Sequence, residues 1–151
     1  MIFFTLRGLK LITQKIITME TENLISNGFE TAPSEYFTGK VFRKTLVAAD
    51  AVTNCNVSEV AFEAGARNNW HTHPSNQVLI VKEGICFYQE EGKSIQKIAA
   101  GGVINVLPGI KHWHGASPDN SMIHIAININ INSDKGMVNW MEPVSDTAYK
   151  Q

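Results

Sequence analysis

The chain has 151 residues, 44% hydrophobic and 18% charged, which is the make-up of one soluble globular domain rather than a disordered or fibrous segment. Thirteen Lys plus Arg against 14 Asp plus Glu leave a formal charge of -1, with no basic patch or run of the kind nucleic acid requires. Cys55 and Cys86 lie in β-like apolar patterns, so each is expected as a buried thiol in a reducing, cytoplasmic setting rather than as half of a disulfide.

The opening stretch, MIFFTLRGLKLITQKIITM, is apolar enough to raise targeting or a membrane. Arg7, Lys10 and Lys15 interrupt each run before it reaches the length of a spanning helix or a signal core, and no small-residue cleavage site follows. Met19 begins a more ordinary protein start, so residues 1–18 are expected to be a dispensable extension, with a weakly amphipathic surface helix as the alternative.

From Met19 onward the chain reads as short strands separated by turn chemistry, without a long helix or a repeat. Residues 22–39 form an irregular lead-in. Strands are expected over 40–48 and 57–64, joined by a loop around Ala49–Asn56, and then over 77–84 and 85–92 with Gly84 as a turn between them. Glu91–Gly92–Lys93 is a second turn before SIQKIAA. A strand over 103–107 ends at Pro108–Gly109, another starts at 111–114, and Ser117–Pro118–Asp119–Asn120 turns the chain into SMIHIAININ. The tail with Trp140 and Pro143 ends in a short helical turn at SDTAYK. Strand spacing of this kind belongs to a sandwich or a barrel.

Five histidines fall within this pattern. Side chains alternate faces along a strand, so His71 and His73 aim at one point and Gln77 keeps their parity. Two converging imidazoles are half a metal site, and His112, just past the Pro-Gly turn, is the candidate for the third ligand. His114 shares the face of His112 and belongs beside the metal rather than on it. A lone strand histidine is commonly structural, but a cluster of buried unpaired imidazoles costs desolvation energy that coordination relieves. Gln77 has an alternative, hydrogen bonding elsewhere and leaving a three-His site. His124 alternates with Ile123, Ile125, Ile127 and Ile129, which leaves two readings: isoleucines inside and His124 in solvent, or the reverse.

Gly65, His71, His73 and Gly84 match the first cupin motif, G-x5-H-x-H-x3-E-x6-G, with Gln77 in place of the acid. Gly102, Pro108 and His112 match the second, with Gly109 one place early and Ala116 where that motif has asparagine. The chain therefore resembles the cupins from about Tyr36 to Tyr149. More narrowly, GARNNWHTHPSNQ, PGIKHWHGASP and MIHIAI are similar to segments of small single-domain cupins that include manganese-dependent bacterial hydroxynitrile lyases.

That resemblance implies an all-β fold, a double-stranded β-helix (cupin jelly-roll barrel), with its core about 40–132 inside a single domain of residues 19–151. It implies one divalent ion held by His71, His73, Gln77 and His112, manganese first, with iron, zinc, nickel or cobalt as alternatives. It also implies His124 in the cavity, where it and His114 carry protons, and Ser58, Val60 and Asn68 shaping a small-molecule pocket. Neutral ligands leave the ion its full charge, so a Lewis-acid lyase acting on a hydroxylated substrate is expected. The rivals are a metal-dependent dioxygenase, a non-catalytic binding or sensing module, and an auxiliary of the carboxymuconolactone decarboxylase kind. An inward His124 turns the isoleucine row outward, where a homodimer or larger homo-oligomer would cover it.

Overall fold

A computed structural model describes residues 23–131 and 133–150. The extension expected to be dispensable, residues 1–18, lies outside them. Contacts divide the chain into two units, Met1–Glu30 and Thr31–Gln151. In the first, residues 23–26 make one helical turn, and Gly28 follows at φ 83°, the left-handed conformation that ends helices.

Twelve strands are present among the described residues: β1 (Glu30–Thr31), β2 (Phe37–Thr38), β3 (Val41–Val47), β4 (Cys55–Phe62), β5 (Arg67–Asn68), β6 (His71–Thr72), β7 (Asn76–Glu90), β8 (Gln96–Ala99), β9 (Val103–Val106), β10 (His112–Ala116), β11 (Met122–Ile129) and β12 (Asn139–Trp140). Their pairings are antiparallel and form two arrays. One runs β3–β4–β11–β7–β9. The other runs β2–β5–β10–β7–β8, with β6 on β10 and β12 on β6. The result is an all-β jelly-roll barrel, one of the two architectures that the strand spacing allows and the one that the cupin resemblance implies.

β7 joins the arrays, and this corrects one expectation. Gly84 does not end a strand; β7 continues through it for 15 residues. Residues up to Gly84 pair with β11, whereas Ile85–Tyr88 pair with β8 and Cys86–Glu90 with β10. The change of partner follows a register shift opposite Ile123 and His124, and Gly84 has φ 74°. A positive-φ glycine at a bulge bends a strand out of one sheet and into another. A side chain there would also place its Cβ 1.9 Å from the Ser121 carbonyl oxygen.

Burial alternates strictly along β11. Met122, His124, Ala126 and Asn128 are buried, and Ile123, Ile125, Ile127 and Ile129 are half-buried on the opposite face. Partners in register carry the inner row across the barrel: Phe62 beside Met122, Val60 and Val81 beside His124, Ser58 and Leu79 beside Ala126, Asn56 and Gln77 beside Asn128. The interior is thus graded. Its apolar end, with Phe62, Val81, Leu79, Tyr88 and Met122, supplies the core, each large side chain contributing about 1.5–3 kcal/mol through burial. Toward the far end of the same row lie the amides of Asn56, Gln77 and Asn128, with Val106 beside Gln77. Cys86 is buried, as expected, but Cys55 at the start of β4 is only half-buried; both are free thiols.

The C-terminal tail fastens onto β5 and β10. Trp113, Phe87, Val144 and Tyr149 form a second apolar cluster. Arg67 donates to the Val144 carbonyl oxygen from Nη2 (2.9 Å) and to Asp146 Oδ1 (2.6 Å). Ser145 caps the expected helical turn, Asp146–Tyr149, by accepting from the Ala148 N–H.

Candidate active site

Three histidines meet where β6 and β10 run side by side. His71 on β6 is the register partner of His112 on β10, with ring centroids 4.2 Å apart. His73, just past β6, has its centroid 5.0 Å from that of His71 and 5.5 Å from that of His112. One ring nitrogen from each lies within 4.8 Å of the other two. All three rings are buried.

Backbone carbonyls set their orientation. His71 Nδ1 donates to Asn69 O (2.9 Å), His73 Nδ1 to Met137 O (2.7 Å) and His112 Nδ1 to Ile110 O (2.9 Å). A carbonyl oxygen only accepts, so the proton of each ring is on Nδ1 and Nε2 keeps its lone pair. This is the backing that metal-ligating histidines have. Burial, reinforced by the mutual repulsion of the rings, holds His71 well below the usual histidine range. Burial lowers His73 as well, and pushes His112 down to about 4. Neutral imidazoles are the form that a metal binds.

Gln77, on β7, brings an amide to the same end of the barrel. Its Nε2 donates to Asn128 Oδ1 (3.3 Å), and its Oε1 has no partner. Gln77 is close enough to the His73 ring to favour the charged imidazole. Among the described residues, seven buried side-chain polar atoms lack a partner; six belong to His73, Gln77, His112, His114 and His124. Leaving such an atom unmet costs about 1–3 kcal/mol, so their concentration here marks a ligand site. Three converging imidazoles and a free amide oxygen fit a divalent cation through an all-neutral donor set.

The remaining two histidines lie deeper. His114 on β10 has its centroid 5.6 Å from that of His71 and 4.9 Å from that of His124. Phe62 packs against both, at 5.9 Å and 5.5 Å. His124 points into the barrel, as the resemblance implies, and neither of its nitrogens has a partner. Burial pushes it down to about 4, and holds His114 well below the histidine range, with His124 the nearest charge adding to the effect.

Asn68 touches His114 twice. Its Oδ1 accepts from the His114 backbone N–H (2.9 Å), and its Nδ2 lies 2.9 Å from His114 Nε2. The approach of β5 to β10 depends on Gly115, where a Cβ would sit 2.5 Å from the Ala66 carbonyl oxygen. Ser58 and Val60 are half-buried on the inner row of β4, opposite Ala126 and His124. Asn128 joins the site unforeseen, although its parity with His124 along β11 is the signal that finds it.

No family model matches the chain. An (R)-mandelonitrile lyase of Granulicella tundricola is 40% identical over 133 residues, spanning 88% of this chain and all of that protein. The chain belongs to the cupin family. A cupin-like protein of Thermotoga maritima, also 40% identical, superposes with a TM-score of 0.76 over 80% of this cupin and 90% of its own length. A cupin-2 domain of Rhodospirillum rubrum, 12% identical, shares the fold with a TM-score of 0.60 over 82% of this chain and 80% of that one. No helix among the described residues is long and apolar enough to cross a membrane.

Proposed function

We propose that this cupin is a metal-dependent lyase that cleaves a cyanohydrin to a carbonyl compound and hydrogen cyanide, as its mandelonitrile lyase relative is named for doing. One observation carries the reading. A histidine trio able to hold an ion is joined through His114, with ring centroids 5.6 Å from His71 and 4.9 Å from His124, to a fully buried His124 whose two nitrogens have no partner. A site built only to hold an ion has no use for that fifth imidazole.

His71, His73 and His112 would hold the ion, with Gln77 Oε1 as a fourth donor, and manganese is the ion that the resemblance implies. When bound, a divalent cation supplies Lewis-acid stabilisation of developing negative charge, undiminished by any ligand carboxylate. His124 accepts the substrate hydroxyl proton as the carbon–cyanide bond breaks and its electron pair leaves with cyanide. The proton then passes from His124 to the cyanide, so the ring finishes neutral. His114 remains neutral and donates a hydrogen bond within the site. Phe62 and the apolar end of the barrel exclude water, which strengthens each of these interactions. Ser58 and Val60, on the row that faces His124, shape the substrate side of the site.

Alanine substitutions test the division of labour. His71→Ala, His73→Ala or His112→Ala is expected to strip the metal. His124→Ala is expected to keep it and to lower kcat by roughly 10²–10⁴-fold, as measured by elemental analysis beside cyanide release from mandelonitrile. Full activity in His124→Ala would remove the proposed proton acceptor.

A further inference from the structure

Asn68 engages His114 through both ends of its amide, and the two contacts together fix something that neither fixes alone. The His114 backbone N–H can only donate, so the atom facing it, at 2.9 Å, is the amide oxygen. Asn68 Nδ2 must then be the atom 2.9 Å from His114 Nε2. An amide nitrogen donates and does not accept, so Nε2 is the acceptor and carries no proton. The ring proton is therefore on Nδ1, an atom that is buried without a partner.

We propose that Asn68 is a positioning residue: it locks His114 in the Nδ1–H tautomer and thereby confines that ring to hydrogen-bond donation. With Nε2 engaged and Nδ1 already protonated, His114 has no free lone pair, so proton acceptance falls to His124, 4.9 Å away between ring centroids. The three histidines of the trio are locked in the same tautomer by backbone carbonyls. No carbonyl does this for His114, so a side chain from β5 must. The close approach at Gly115 and the Arg67 anchor to Val144 and Asp146 hold that side chain in place. The assignment of His114 as donor rests on the lyase reading; the tautomer lock does not.

Asn68→Asp is nearly isosteric and reverses the instruction. A carboxylate still accepts from the backbone N–H, but opposite Nε2 it also accepts, which moves the ring proton to Nε2. Protein carrying ¹⁵N-labelled histidine and loaded with diamagnetic zinc reports the tautomer of each ring directly from its nitrogen shifts. The expected result is a protonated Nδ1 and a bare Nε2 for His114 in the wild type, the reverse in Asn68→Asp, and a mixture in Asn68→Ala. Manganese-loaded Asn68→Asp is expected to lose roughly 10²-fold in kcat on mandelonitrile with KM and metal content unchanged. Nε2–H in the wild type, or the same tautomer in all three proteins, overturns the lock whether or not the protein is a lyase. A reversed tautomer with undiminished kcat overturns the positioning role. A wild type inactive on mandelonitrile, with the lock intact, refutes the lyase reading instead.

Discussion

At the scale of single residues, His124 is the most informative side chain. It is fully buried, its nitrogens are unpartnered, and burial holds it at about 4 against an ordinary 6.5. Above pH 6.5 it is neutral in folded and unfolded chains alike. Between 6.5 and 4 only the unfolded chain takes up the proton, so stability present above pH 6.5 is lost as the pH falls toward 4. That loss reaches about 3 kcal/mol for this ring. In urea titrations of metal-loaded protein, wild type should weaken more steeply than His124→Gln over this range, and parallel pH profiles would show that His124 is not buried neutral. Gln77 is informative for the opposite reason. It stands where the cupin motif has a carboxylate, its amide nitrogen is spent on Asn128 Oδ1, and its oxygen remains for a ligand.

At the scale of elements, β7 and β11 decide where everything lies. Gly84→Ala would put a Cβ 1.9 Å from the Ser121 carbonyl oxygen on a backbone at φ 74°. It should cost at least about 2 kcal/mol, read as a lower urea midpoint; an unchanged midpoint would refute the bend. The grouping of His71, His73 and Gln77 was legible in the sequence from their cupin-motif spacing, although strand parity does not produce it, since β6 ends at Thr72 and Gln77 lies on β7. The third ligand candidate was legible from the Pro108–Gly109 turn. Gly84 carries the signal of a turn in the sequence because a turn and a bulge share one local requirement, a residue with positive φ. Which face of β11 points inward was open from periodicity alone. The usual hydrophobic-inside pattern is reversed there, since this part of the interior is a polar site and its outer row is isoleucine. The carbonyls of Asn69, Ile110 and Met137, and the double grip of Asn68 on His114, depend on backbone placement that no residue pattern announces.

At the scale of the whole molecule, the outward row matters most. Ile123, Ile125, Ile127 and Ile129 lie together on one sheet face, beside the outward Val78 and Ile80 of β7. We propose that a second copy of the chain covers this face, because a contiguous apolar row is seldom left in water. Sedimentation should report a dimer or larger homo-oligomer, and Ile125→Asp should shift it toward monomer; a strictly monomeric wild type would refute the proposal.

The central claim is that a neutral-ligand metal centre and a buried imidazole cleave a cyanohydrin together. Cyanide release from mandelonitrile, followed through chelation and reconstitution, tests it most directly. Manganese-loaded protein should release cyanide, lose that activity when a chelator strips the ion, and regain it when manganese returns. No release from the loaded protein, or undiminished release from the stripped one, would contradict the claim.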